Sequence, residues 1–235
     1  MCGRFTQKYT WSELVELYRL TQSPQNLRPS YNVCPTDPIS VIILGDEGLF
    51  LMPMRWQLIP RWWKKPLKAL PATFNARAET IAEKPMFRDA FKRNRCLIPA
   101  SGYFEWQTTA DGKQPYYITP RNGSVLTIAG LWEDWHDTVN DEITSCTMII
   151  TKANSLVSTI HDRMPVILEP DSIAPWLSGS AGTELLRPAR EDALRMWPVS
   201  KRVNKPGNGD DPTLIESFAL GLPASGLPNT DLLLN

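Results

Sequence analysis

A chain of 235 residues, 42% of them apolar, can bury one sizeable core, and nothing in its composition asks for a second domain. Its longest apolar runs, such as 148–150 with their neighbours, are strand length, and Met1-Cys2-Gly3-Arg4-Phe5 turns polar at once, so neither a membrane-spanning helix nor a secretory leader is expected, and an intracellular, soluble protein is. Lys and Arg balance Asp and Glu at 25 each, and four scattered cysteines (2, 34, 96 and 146) show neither paired zinc spacing nor disulfide density, so reduced thiols and no metal are expected.

Residues 10–20 carry Leu14, Leu17 and Tyr18 at helical spacing, with Thr10 or Ser12 as the cap. Residues 41–44 and 50–52 flank the turn-rich Gly45-Asp46-Glu47-Gly48 and read as a β-hairpin. From 55 to 95 the chain is basic, with 11 lysines and arginines against Glu79, Glu83 and Asp89. That is the composition of a phosphate-facing patch, or of a solvated surface balanced by the acidic second half. Trp56 reads as core. Trp62 and Trp63, framed by Pro60, Arg61, Lys64, Lys65 and Pro66, lie in loop-like sequence where both rings are hard to bury and can stack on unpaired bases. Residues 81–94 are helix-compatible, with Pro85 near the start and a stripe of Met86, Phe87, Ala90 and Phe91. Runs 96–99, 102–106, 115–119, 126–131 and 146–151 are short and β-rich. Residues 172–177 and 184–194 read as helices and 197–199 as a last strand, completing one domain over 1–220 with a weakly structured tail over 221–235.

Methionine is removed readily before a small residue, and at Cys2 that leaves an α-amine and a thiol on one residue. The amine (pKa ~8) and the thiol (~8.5) are both usable nucleophiles near neutral pH. With an aldehyde the amine forms an imine, and the thiol then closes a five-membered thiazolidine intramolecularly. By position alone Cys2 is equally an ordinary buried cysteine ahead of a first strand. Three further segments, 73–80, 101–106 and 159–165, hold residues able to move protons or orient a substrate. Alternation places Tyr103 and Glu105 on one face of a strand, with Phe104 and Trp106 on the other. A partly buried Glu105 would titrate near neutral pH and exchange a proton with a sugar oxygen; a salt bridge to an arginine is the plain alternative. His161 can serve as acid and base, with Asp162 or another acceptor setting its tautomer, whereas His136 lies among acidic, turn-like residues and reads as surface. Asn75 can donate to an oxygen or hold the N-terminal amine, and Arg77 can bind phosphate.

These segments, with Tyr31-Asn32-Val33-Cys34-Pro35, Trp56-Gln57-Leu58-Ile59-Pro60 and Cys96-Leu97-Ile98-Pro99, together resemble the SRAP (SOS response-associated peptidase) family of abasic-site DNA-protein cross-linking proteins, over most of the chain. The resemblance implies an α+β fold, a bifurcated, mostly antiparallel sheet forming a pseudo-barrel with flanking helices. It implies that Cys2 captures the C1′ aldehyde of abasic sites in single-stranded DNA, including single-strand/double-strand junctions, with Asn75 positioning and Glu105 and His161 transferring protons. A monomer without cofactor follows, cytoplasmic and nucleoid-associated in a bacterial host. Arg4, Arg77 and Arg163 correspond to phosphate contacts, Trp62, Trp63 and Pro35 to a base-stacking wedge, and Trp106 and Thr151 to further DNA contacts. Cys34, beside Pro35, departs from the pattern and brings a second thiol near the site.

Three other readings remain open. Met-Cys-Gly also opens N-terminal-nucleophile amidohydrolases, in which the thiol attacks an amide. A thiol peptidase would pair Cys2 with His161, with Glu105 assisting, and the same groups can remove Met1 from their own chain. A non-covalent single-stranded DNA-binding module would need only the arginines and tryptophans.

Overall fold

Side chains alternate between the two faces of a strand, and here that alternation sorts a β-rich chain into two sheets around shared cores. The computed structural model describes residues 2–136 and 142–218. In chain order its principal elements are β1 (Arg4–Gln7), α1 (Trp11–Tyr18), β2 (Ser30–Val33), β3 (Pro38–Gly45), β4 (Gly48–Trp56), β5 (Asn75–Arg77), α2 (Arg88–Arg93), β6 (Arg95–Ala100), β7 (Gly102–Thr109), β8 (Gly112–Pro120), β9 (Leu126–His136), β10 (Glu142–Lys152), α3 (Ser155–Ser158), β11 (Arg163–Pro165), α4 (Pro170–Ser178) and β12 (Leu194–Pro198). No helix among the described residues is long and apolar enough to cross a membrane.

Strands β4, β3, β6 and β9 pair antiparallel in that order, and β10 closes the ring by pairing β9 antiparallel and β4 in parallel. The closed five-stranded mixed barrel leaves no free edge in the ring, and β5 and β11 attach to β10. A second sheet runs β12-β8-β7-β1-β2, antiparallel throughout. This is the α+β pseudo-barrel that the family resemblance implied. Val41 and Ile43 of β3 enter the core shared with Phe5, Tyr103 and Ile118 of the second sheet. Ile42, between them, faces the opposite way, into the core formed with Leu14 and Tyr18 of α1, Phe91 of α2 and Trp176 of α4.

Local chemistry sets several boundaries. Thr10 caps α1 through a reciprocal box: its hydroxyl accepts from the Glu13 N–H, and the Glu13 carboxylate accepts from the Thr10 N–H at 2.6 Å. The β3–β4 hairpin turns between paired Gly45 and Gly48, where φ is +122°. Two expected helices are cut short by proline. Within 81–94 only Arg88–Arg93 is α-helical, because Pro85 has no N–H to donate and disfavours helical geometry at Lys84. Within 184–194 a 3-10 turn at Thr183–Leu185 is followed by irregular chain around Pro188. The last strand starts three residues earlier than read from the sequence, at Leu194. The expected tail over 221–235 lies outside the described residues.

Strand β7 begins at Gly102, where a Cβ would sit 2.4 Å from Tyr117 Cζ and 2.6 Å from the Ile118 carbonyl oxygen. The close approach of β7 to β8 therefore requires the absence of a side chain, and a backbone oxygen cannot swing aside. Gly102→Ala is expected to destabilise the protein by at least ~2 kcal/mol, seen as a lower urea midpoint. An unchanged midpoint would mean that the two strands can separate there at no cost.

Candidate active site

The segment preceding β1 brings Cys2 into the interior, fully buried, with its thiol donating weakly to the Arg4 carbonyl at 3.8 Å. Phe5 packs edge-on against Trp56 at 4.9 Å, and the Trp56 indole donates to the Phe74 carbonyl at 2.8 Å. That bond fixes the backbone just before Asn75, which begins β5 and pairs with Met148 of β10. Asn75 Nδ2 donates to the Cys2 carbonyl at 2.7 Å, while its buried Oδ1 has no donor among the described residues. A residue on the barrel thus holds the backbone of the N-terminal segment.

Glu105 enters from the middle of β7, opposite Tyr116 of β8, and is only 1% exposed. His161 lies in the loop between α3 and β11, with Nε2 3.8 Å from Glu105 Oε2. The Arg163 backbone N–H donates to His161 Nδ1 at 3.0 Å, so the neutral ring carries its proton on Nε2, toward Glu105. The expectation that an acceptor such as Asp162 sets this tautomer is corrected. Asp162 Oδ1 stands 3.3 Å from Nδ1, but that nitrogen already accepts a hydrogen bond from a backbone N–H.

Burial dominates the electrostatics. It pushes Glu105 up to about 7, lowers His161 from the usual imidazole value and, with the Glu105 charge next in importance, holds the Cys2 thiol well above its ordinary range. Near neutral pH the thiol is therefore protonated, the imidazole neutral, and the carboxyl divided between its two forms. Such a pair can accept and return a proton at little cost. Among the described residues no group of three His, Cys, Asp or Glu side chains is arranged to hold a metal ion.

The residues assigned to DNA have diverse surroundings. Arg77 is exposed, and no carboxylate pairs with it among the described residues. Arg4 donates to Asn32 Oδ1 and to the Val203 carbonyl, and Arg163 pairs with Glu79 at 2.5 Å, so both guanidinium groups already have protein acceptors. Pro35 is partly exposed, and Trp106, also partly exposed, donates to Asn204 Oδ1 at 2.8 Å. Cys34 is half-buried with its thiol toward the Asn32 carbonyl. Three expectations need correction. Trp62 is 44% exposed but Trp63 only 8%, because the Trp63 N–H bonds back to the Pro60 carbonyl and the ring turns in against Ile59 and Trp135. Thr151 is buried, and its hydroxyl donates to the Leu186 carbonyl. Arg95, counted in the basic stretch, stacks on Phe91 and Trp176 at 4.6 and 4.5 Å instead of facing a phosphate. Sequence reasoning missed the Arg163 backbone donor and the Glu79 partner; a backbone N–H leaves no signal in residue type, though Glu79 lies within a segment already singled out.

The family model described as SOS response associated peptidase (SRAP) matches residues 1–206. The abasic site processing protein YoqW of Bacillus subtilis is 38% identical over 225 residues, covering 92% of this chain and 100% of that protein. The abasic site processing protein YedK of Escherichia coli is 30% identical over 220 residues, covering 88% of this chain and 96% of its own. The abasic site processing protein HMCES of Gallus gallus is 33% identical over 232 residues, with 83% of this chain but 68% of that protein covered. A crystal structure of a protein from Bacteroides thetaiotaomicron superimposes with a TM-score of 0.84 at 26% identity, covering 93% of this chain and 100% of that one.

The raised Glu105 pKa has a signed consequence for stability. Between the unfolded value near ~4.3 and about 7 the folded protein holds a proton that the unfolded chain has released, so stability falls as pH rises through that window. The fall is on the order of 3 kcal/mol for a shift of this size. His161, with its lowered pKa, works in the opposite sense. Glu105→Gln should match the wild type near pH 4.5 and exceed it in thermal midpoint at pH 8. Equal pH profiles for the two proteins would contradict the buried-carboxyl account.

Proposed function

The chain belongs to the SOS response associated peptidase (SRAP) family, and on that premise we propose that it processes abasic sites in single-stranded DNA by capturing the lesion covalently at Cys2 after Met1 is removed. The observation that carries this reading is the clamp on the N-terminal segment: Asn75 holds the Cys2 carbonyl while a proton-exchanging pair, Glu105 and His161, stands in the same site. An α-amine exists at Cys2 only once the Met1–Cys2 peptide bond is hydrolysed, so the nucleophile is a processed terminus. With its thiol held protonated by burial, the amine acts first.

The abasic deoxyribose is mostly a closed hemiacetal. Protonated Glu105 gives a proton to O4′ as the C1′ hydroxyl loses its own to a base, leaving a C1′ aldehyde and a C4′ hydroxyl. The Cys2 amine adds to C1′, water departs and an imine forms. The thiol proton then passes to His161 or Glu105 as the S–C1′ bond closes, and the ring nitrogen takes up a proton, giving a thiazolidine. Because both nucleophiles belong to one residue, the second step is intramolecular and fast. Neutral His161 near pH 7 suits it to receive the thiol proton. Exposed Trp62 would stack on a base beside the lesion, and Arg77 would meet the phosphate backbone.

With single-stranded DNA bearing one abasic site, the processed protein should give an adduct that survives denaturation. Cys2→Ala should lose it while still forming an imine that borohydride can trap, because the α-amine remains. An equal yield of the borohydride-independent adduct from Cys2→Ala would overturn the proposal. The two tryptophans should separate cleanly: Trp62→Ala should weaken single-strand binding severalfold with the thermal midpoint unchanged, whereas Trp63→Ala should destabilise the fold by about 3 kcal/mol. Binding titrations and thermal melts check both; equal destabilisation by the two variants would contradict the assignment.

A further inference from the structure

Tyr103 precedes Glu105 by two residues on the same face of β7 and pairs with Phe5 of β1. It is fully buried, in the core cluster that also contains Cys2, Phe5 and Ile118, whereas Phe104 between them packs in a different cluster with Tyr117 and Val199. Its hydroxyl has no hydrogen-bond partner among the described residues. Of the other buried tyrosines, Tyr18 shares a hydrogen bond with Thr127 at 2.8 Å and Tyr117 with Thr6 at 2.9 Å, while Tyr9, in a different core cluster from Cys2, also lacks one among the described residues. A buried hydroxyl without a partner is a net cost to the fold, and a phenylalanine would fill the same space without it. Burial foremost, followed by the charges of Cys2 and Glu105, keeps the phenol well above its ordinary pKa, so it persists as a neutral O–H donor beside both groups. The hydroxyl thus lies on the face of β7 that carries Glu105, in the cluster that holds Cys2, as a donor for which a substrate atom can supply the acceptor.

We propose that Tyr103 donates a hydrogen bond to the C1′ oxygen of the captured sugar, an inference that rests on the capture reaction above. As the Cys2 amine adds to the aldehyde, the N–C1′ bond forms and the carbonyl pair moves onto oxygen, which is the moment of greatest negative charge. The Tyr103 hydroxyl stabilises that oxygen and keeps its own proton. The ammonium gives one proton, by way of Glu105 or His161, to the alkoxide, which becomes the C1′ hydroxyl; a second proton from the same pair lets it depart as water, and the iminium left behind returns that proton to the pair as the imine forms. A donor preorganised in a dry cavity is most valuable at such a step, because no solvent competes for it.

The experiment compares wild type and Tyr103→Phe, both with Met1 removed, under single-turnover conditions on single-stranded DNA with one abasic site. Imine formation is read by borohydride trapping and thiazolidine formation by the denaturation-resistant adduct without borohydride. Tyr103→Phe should slow both together by about 10- to 100-fold, with affinity for undamaged single-stranded DNA unchanged and the thermal midpoint equal or higher. Three results would overturn the inference: wild-type rates for both species; a wild-type rate of imine formation with slow ring closure, which would place the hydroxyl on the sulfur; or a lower midpoint with weaker binding to undamaged DNA, which would assign Tyr103 to packing. If the wild type gives no Cys2-dependent adduct, the capture reaction itself fails and this inference falls with it; if the wild type reacts and the variant reacts as fast, only the role of Tyr103 is lost.

Discussion

Glu105, at 1% exposure, is the constraint on which the candidate site depends. An ionised carboxylate in such a position costs several kcal/mol unless it is compensated. The fold keeps the proton on the carboxyl until about pH 7 and places a neutral imidazole 3.8 Å away. The surrounding architecture keeps that arrangement rigid. Strand β7 is central in its sheet, bonded to β1 on one side and β8 on the other, so Glu105 cannot swing out with a fraying edge. The Arg163 N–H, fixed at the start of β11, leaves His161 one neutral tautomer.

The same geometry explains how the N-terminal segment is held. Cys2 lies just before a four-residue strand, and termini with so few contacts ordinarily fray. Here Phe5 is locked against Trp56, the Trp56 indole holds the chain before Asn75, and Asn75 returns a hydrogen bond to the Cys2 carbonyl. The loop of contacts runs from the terminus through the barrel and back, so the order of Cys2 depends on residues more than fifty positions away. In the proposed reaction this is what makes a chain terminus rigid enough to present an amine in one orientation.

Much of this was legible in the sequence, and the exceptions have physical causes. Strand alternation put Tyr103 and Glu105 on one face of β7; Thr10, offered with Ser12 as the cap, does cap α1; and the turn-rich Gly45–Gly48 connection closes the hairpin. The helix expected over 81–94 failed because an apolar stripe persists even where Pro85 and the turns before Phe87 deny the backbone its hydrogen bonds. Trp63 failed for a different reason. Loop composition says that the backbone lies near solvent but not where a ring points; the bond from the Trp63 N–H to Pro60, with Trp135 donating to the Trp63 carbonyl at 2.7 Å, turns that ring inward. The basic stretch likewise looked uniform in sequence, yet Arg95 is spent on two aromatic faces and Arg61 on buried Glu133 at 2.8 Å.

The partners of the arginines bear on how the proposed DNA complex would be held. A guanidinium already bound to a carboxylate does not add its full charge to a phosphate; it exchanges one acceptor for another, and only the difference counts. Arg163 would have to leave Glu79, and Arg4 would have to give up Asn32 and the Val203 carbonyl or share its remaining N–H groups. Exposed Arg77 has no such exchange to make. Full-strength phosphate contacts would then come from Arg77 and from exposed lysines of the basic stretch such as Lys64, Lys65 and Lys68 more than from Arg4 and Arg163. In the proposed reaction, the covalent bond would supply retention that charge does not. Arg163 is in turn most useful where it stands, because the residue that pairs with Glu79 is also the one whose backbone fixes His161.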